Sequence, residues 1–276
     1  MRFGLDISQH QLTWEELTAR AHYAEDGGYD GAWVFDHFKP LYGDPGGPCL
    51  EGWTLLAALA AITKRIRLGA LVTGVTYRHP SVLTAEAITV DHVSNGRLEF
   101  GIGAAWFADE HHQLGIDFPS NAERAHRLEE ALNVYERLCA AEETTFEGRY
   151  YTLSGARMRP APVQQPHPPI WIGAHRPQLM LPIVGRHADV WHTFAKPGPD
   201  YEKKWSIVAE HAALAGRDPK DIHRSLPLDL SQGWDDVKRA VEAAEEAGVA
   251  YMTAGWPGEG QAHLDHFTEK LMPKLR

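Results

Sequence analysis

The stretch RLEFGIGAAWFADE (97–110) runs from an apolar, strand-like segment straight into glycines, alanines and a tryptophan. Two earlier stretches are built alike, GAWVFDHF (31–38) and RLGALVTGVTYRHP (67–80). In a chain that alternates strands with helices, the parallel strands all point one way, so residues just past their C-terminal ends gather at one mouth of the sheet or barrel. The three clusters therefore describe one site. Working outward from them, eight β-like runs are legible: 2–7, 31–36, 67–73, 98–103, 169–174, 188–194, 223–230 and 248–254. Segments of helical period lie between. In TWEELTARAHYAEDGG, Thr13 is the expected N-cap and Gly27 the expected end, and Asn121 is the expected cap of NAERAHRLEEALNVYERLCAA. Further helical stretches are read at 54–63, 79–93, 201–215, 235–247 and 260–275. This alternation predicts an α/β fold, a (β/α)8 TIM barrel, with residues 1–276 as one domain. One connection, 104–168, breaks the rhythm. It holds a helix, then TTFEGRYYTL, which reads as a hairpin about Glu147-Gly148, and the proline-rich RPAPVQQPHPPI, so an insertion at about 142–168 is expected between the fourth and fifth strands. A Pro/Gly-rich loop, FKPLYGDPGGPCLEGW (38–53), comes after the second strand, where it is read either as a lid touching substrate or as a passive connection.

Composition narrows the partners. With 43% hydrophobic residues among 276, a large core is available. A net charge of −10, from 27 Lys and Arg against 37 Asp and Glu, argues against a nucleic-acid surface and favours small-molecule substrates. The two cysteines, Cys49 and Cys139, fit neither a disulfide framework nor a thiolate metal site, and suggest a reducing compartment. No apolar run approaches the roughly 18 residues a membrane span needs, and the start reads directly into a strand, so a soluble cytoplasmic protein is expected.

Asp36-His37 closes the second strand, and a histidine there can titrate near neutral pH and hydrogen-bond a developing charge, which makes it the first catalytic candidate. His111-His112, and His187 with His192, are weaker, since adjacent histidines on a helix point to different faces and no metal site is expected. Gly103 and Ala105 end the fourth strand, where small residues let a planar ligand or phosphate approach the backbone, and Trp106 walls a ring pocket or covers the barrel end. In WIGAHRP (171–177), Gly173-Ala174 precedes a helix expected near Pro177. A cofactor phosphate at that helix N-terminus, with Arg176 nearby, fits this pattern, as does an ordinary tight turn.

These segments together resemble the luciferase-like monooxygenase superfamily, and within it the group of oxidoreductases that use the deazaflavin coenzyme F420. The carriers are VFDHF (34–38), RIRLGALVTGVTYRHP (65–80), AITVDHVSNGRLEFGIGAAWFADEHHQLGIDFP (87–119), and PPIWIGAHRP with GRHADVWHTF (168–177, 185–194). The resemblance implies a barrel with the cofactor ring across the strand C-termini, His37 beside its redox-active position, and Asp36 next to it, orienting His37 or contacting the cofactor. It implies a non-prolyl cis peptide near Leu71-Val72 supporting the ring face. Leu71, Val72, Gly103, Ala105 and Trp106 would shape the pocket, and Ile172, Gly173 and Ala174, with Arg176, would hold the tail. Trp106 stands where the sugar-phosphate dehydrogenase branch carries a catalytic glutamate, and Asp109 or Glu110 would replace it only if their loop folds inward. The implied activity is hydride transfer between F420 and a small organic substrate, commonly by a homodimer. The alternatives are an FMN-dependent two-component monooxygenase fed by a reductase partner, and a non-catalytic flavin-binding barrel.

Overall fold

The eight expected runs pair as parallel strands and close on themselves. In the computed structural model, which describes residues 1–276, the strands are β1 (Arg2–Asp6), β2 (Gly31–Val34), β3 (Arg67–Ala70), β4 (Thr73–Gly74), β5 (Leu98–Gly103), β6 (Thr144–Glu147), β7 (Thr152–Ala156), β8 (Ile170–Gly173), β9 (Val190–His192), β10 (His223–Leu228) and β11 (Tyr251–Gly255). The sheet runs β3-β2-β1-β11-β10-β9-β8-β5, and β3 pairs with β5 (Leu68 opposite Leu98) to shut the ring. This is a closed eight-stranded parallel TIM barrel. Its third strand is interrupted: a cis peptide between Leu71 and Val72 separates β3 from β4, and β4 still pairs with β5. The antiparallel hairpin β6–β7 stands outside the barrel, between β5 and β8, as the break in rhythm foretold.

The helices are α1 (Trp14–Asp26), α2 (Gly52–Ile62), α3 (Pro80–Ser94), α4 (Ala108–Leu114), α5 (Asn121–Ala140), α6 (Met180–His187), α7 (Pro199–Leu214), α8 (Trp234–Glu246), α9 (Gln261–His266) and α10 (Met272–Leu275). Thr13 caps α1 through a capping box with Glu16. For α5 the cap is Ser120 rather than Asn121, because the Ser120 hydroxyl accepts the Glu123 N–H while Asn121 is already helical and accepts from Arg124. The expected continuous C-terminal helix is broken by a π-turn over Phe267–Leu271.

Period-two alternation sorts the barrel side chains into two layers. Trp33, Trp171, Val190 and Tyr251 fill the interior, Trp33 and Trp171 meeting across the barrel at 4.4 Å between ring centroids. Glycines make room for them: a Cβ on Gly4 would lie 2.4 Å from the Tyr251 hydroxyl, and one on Gly69 2.5 Å from the Trp33 ring. The polar ends are satisfied, Trp33 Nε1 donating to Tyr251 Oη at 3.2 Å and Trp171 Nε1 to Glu99 Oε2 at 2.6 Å. Intervening residues such as Phe3, Phe100 and Ile172 face the helices. Emptying the interior should be costly. Trp33→Ala is expected to destabilise the fold by about 3–5 kcal/mol, read as a shifted midpoint in chemical denaturation.

Candidate active site

The barrel's aromatic plug leaves its C-terminal mouth open as a cavity of about 620 Å³. His37 sits in its wall, 7% exposed, carried there by the end of β2. Its Nδ1 lies 2.9 Å from Glu110 Oε2, and its Nε2 has no protein partner. Glu110 is fully buried, so the loop after β5 does fold inward. The backbone N–H groups of Phe38 and Lys39 donate to Glu110 Oε1 at 2.8 and 3.2 Å, and the Tyr77 hydroxyl donates to Oε2. Burial pushes the Glu110 carboxyl up, but these hydrogen bonds, that of His37 foremost, outweigh it and hold the group below its ordinary value. Burial and the neighbouring carboxylate push the Tyr77 phenol up, so it remains a donor. Behind it His111, fully buried, stacks on Tyr77 at 4.7 Å, donates from Nδ1 to Phe107 O at 2.8 Å and accepts from Thr76 Oγ1 at 2.6 Å. A fixed carboxylate thus holds the histidine ring with Nδ1 as donor and leaves Nε2 for a ligand.

Asp36 borders the cavity, but both its oxygens are taken by Arg78, at 2.7 and 3.1 Å, and Arg78 also pairs with Glu51 and Glu86. Burial pushes the Asp36 carboxyl up against the opposing pull of that guanidinium. Asp36 makes no hydrogen bond to His37; the orienting carboxylate is Glu110.

At the end of the neighbouring strand, Val72, which follows the cis bond from Leu71, packs toward two glycines: a Cβ on Gly103 would lie 2.9 Å from its side chain, and one on Gly173 3.2 Å. Ala105, also at the wall, has φ 60°, a left-handed conformation uncommon outside glycine and one that marks functional sites. Trp106 and Phe194 stand at the rim 65% and 74% exposed, more than large aromatic rings ordinarily show. Leu71, Ala174 and Arg176 line the cavity as well.

Ile172 does not. It is fully buried in the barrel–helix layer, because on β8 the inward-facing register belongs to Trp171, in the barrel interior, and Gly173, at the cavity. The helix expected near Pro177 begins instead at Met180, after a turn over Pro177, Gln178 and Leu179, and has no side-chain cap, since the N-cap residue is Leu179. The phosphate-binding helix end expected beside Gly173-Ala174 is therefore absent from that position. Cationic character comes from elsewhere: Arg124 reaches the wall from α5, donating to Ala104 O at 2.9 Å and Asn121 Oδ1 at 2.6 Å, close enough to Arg176 for the two to repel.

From the sequence neither Tyr77 nor Arg124 is named, and the inward turn of Glu110 is given only as a condition. Two signals were there. A helix reading ADEHHQL has no apolar stripe, so whatever it buries must be polar, and a cation in the first turn of α5 works against the helix dipole and needs another reason to be there. His192 also borders the cavity; burial pulls it down to about 4, and its Nδ1 lies 3.1 Å from Ser225 Oγ.

The F420-dependent glucose-6-phosphate dehydrogenase of Microbacterium testaceum is 32% identical over 234 residues, covering 84% of this chain and 68% of the relative. Among solved structures, an F420-dependent secondary alcohol dehydrogenase in complex with an F420-acetone adduct superposes with a TM-score of 0.86 at 20% identity, covering 100% of this chain and 99% of the other. The coenzyme F420-dependent tetrahydromethanopterin reductase of Methanopyrus kandleri gives 0.84 at 18%, with the same coverage. The luciferase-like monooxygenase family matches residues 1–274, and the chain belongs to that family.

Proposed function

We propose that this protein is an oxidoreductase that transfers a hydride between the deazaflavin coenzyme F420 and a small organic substrate. The observation that carries the reading is His37, locked through Nδ1 onto Glu110 with Nε2 unpartnered, facing a cavity where Val72, Gly103 and Gly173 form a wall without room for another side chain. Support comes from relatives that are F420-dependent dehydrogenases.

The residues present fit the coenzyme. A flat face against Val72 and the two glycines suits a planar ring, exposed Trp106 and Phe194 offer aromatic edges, and Arg124 with Arg176 offers positive charge to an anionic tail. When bound, a deazaflavin supplies the two-electron hydride chemistry. The protein's share is orientation and proton handling. His37 Nε2 is placed to take or return the proton at a substrate oxygen, and Glu110 stabilises the imidazolium that this creates. Tyr77 and the two backbone donors keep Glu110 from rotating away. Trp106, standing where the sugar-phosphate branch carries a glutamate, offers no acid of its own, which leaves His37 as the proton-transfer group.

Glu110→Gln preserves shape but removes the charge, and turnover should fall about tenfold or more, with smaller loss of coenzyme affinity. Tyr77→Phe should act in the same direction more weakly. The reading is tested by anaerobic incubation of the protein with oxidised and reduced F420 and a panel of alcohols and carbonyl compounds, following deazaflavin absorbance. Absence of reduction or reoxidation with every member, despite coenzyme binding, would count against a catalytic role and favour a non-catalytic flavin-binding barrel.

A further inference from the structure

A second cavity, of about 390 Å³, opens at the same barrel mouth between the ends of β1 and β11, and shares Phe35 and Tyr42 with the first. Asp6, Ser8, His10, Arg20 and Trp256 line it, with Arg20 near enough to Asp6 for their charges to attract. Arg20 is half-buried, its guanidinium lying over the Trp256 ring at 4.3 Å, and it makes no ion pair or hydrogen bond. Glu16 and Asp6 act on it through charge but neither reaches ion-pair distance. Glu16, one helical turn back, accepts the Thr13 N–H at 2.8 Å in the capping box of α1, and Asp6 Oδ1 accepts the Ser8 N–H at 2.8 Å. Arg20 therefore presents donors that no protein acceptor takes up and that remain open to the cavity, a planar five-donor fork free to receive an anion.

We propose that this cavity is a subsite for the carboxylate of a small organic acid, held by the Arg20 guanidinium while the rest of the molecule extends past Phe35 and Tyr42 toward His37. The face of the guanidinium is covered by Trp256, leaving its edge, the planar fork that matches a carboxylate in bidentate fashion, for the ligand. A single negative charge fits better than two. Arg20 is the one Lys or Arg lining the cavity, His10 is pulled down to about 4 by burial and stays neutral, and Asp6, which also lines it, would repel a phosphate dianion more strongly than a carboxylate. Calling the bound acid a substrate rests on the oxidoreductase reading; the anion site itself does not.

The test is ligand-observed NMR on the full chain with cyclohexanecarboxylate, its primary amide, and inorganic phosphate, using wild type, Arg20→Gln and Arg20→Lys. The acid should bind about tenfold or more tightly than the amide and more tightly than phosphate, with the preference lost in Arg20→Gln and partly kept in Arg20→Lys. Equal binding of acid and amide, no binding by the acid, tighter binding of phosphate, or an undiminished preference in Arg20→Gln overturns the proposal. Coenzyme affinity, measured separately, should be the same in wild type and Arg20→Gln. Failure to bind F420 with the acid preference intact would remove the oxidoreductase reading and leave the subsite standing.

Discussion

His37→Ala is expected to lower turnover about 10²–10⁴-fold, the range that a positioned acid or base contributes, while F420 affinity changes much less. The expectation comes from the geometry of a single residue. Glu110 at 2.9 Å holds Nδ1, so the ring presents Nε2 to the cavity, and no other acid, histidine or lysine at the wall is held in a comparable way. Asp36 is bound on both oxygens to Arg78, and His192 is kept neutral by burial. The ring also packs edge-on against Trp106 and Phe107 at 5.9 and 6.0 Å, so its loss should leave space at the wall without collapsing the barrel. His37→Gln, which keeps a hydrogen-bonding group near the Nε2 position but cannot take up a proton, should fall with alanine if proton transfer is the role. Steady-state turnover, with a substrate isotope effect to confirm that chemistry limits the rate, separates the two variants. Unaltered turnover in both would remove His37 from the mechanism.

Gly173→Leu is expected to weaken F420 binding about tenfold to a hundredfold while the barrel still folds. A Cβ there already approaches Val72 to 3.2 Å, so the remainder of a leucine side chain has only the cavity to enter. Overpacking of this kind costs about 1–3 kcal/mol, here charged against the ligand because the space is empty of protein. The glycine's backbone is not in the left-handed region, so the substitution brings no conformational strain to confuse the result. Gly101→Leu is a useful contrast: a Cβ at that position would lie 1.9 Å from Ala70 O, within the barrel wall, and should cost folding instead of affinity. Fluorescence titration of the two variants, each with a thermal melt, distinguishes an effect on the site from an effect on the fold. Coenzyme affinity equal to wild type in a folded Gly173→Leu protein would show that the ring does not lie along this wall.

The barrel was legible because its signals are local. Apolar runs of strand length, helices with caps such as Thr13 and glycine-rich strand ends recur at intervals that only an alternating fold accommodates. The placement of His37, Gly103, Gly173 and Trp106 at one mouth is a consequence of strand direction alone. The features that were not legible depend on rotation and on contacts distant in sequence. The resemblance implies that Ile172 holds the coenzyme tail, yet one residue along a strand reverses the face, and only the barrel register decides which face is inward. Glu110 lies 73 residues from His37, and its inward turn depends on how α4 seats against the loop after β2, helped by the Lys39–Asp109 pair at 2.7 Å. Arg124 enters the site from a helix that the strand-end rule does not cover. The helix start at Met180 was misplaced because proline at 177 satisfies the usual first-turn signal, while the residues around it supply no cap.

The central claim, that F420 is the coenzyme of this cavity, is tested most directly by titrating the purified protein with F420 and with FMN while monitoring quenching of its nine tryptophans. Trp106 at the rim makes the signal local to the site. Saturable quenching by F420, weaker or absent quenching by FMN, and product formation that needs no oxygen are expected. No measurable affinity for F420, together with oxygen-dependent product formation with reduced FMN, would contradict the account and assign the protein to flavin-dependent oxygen chemistry.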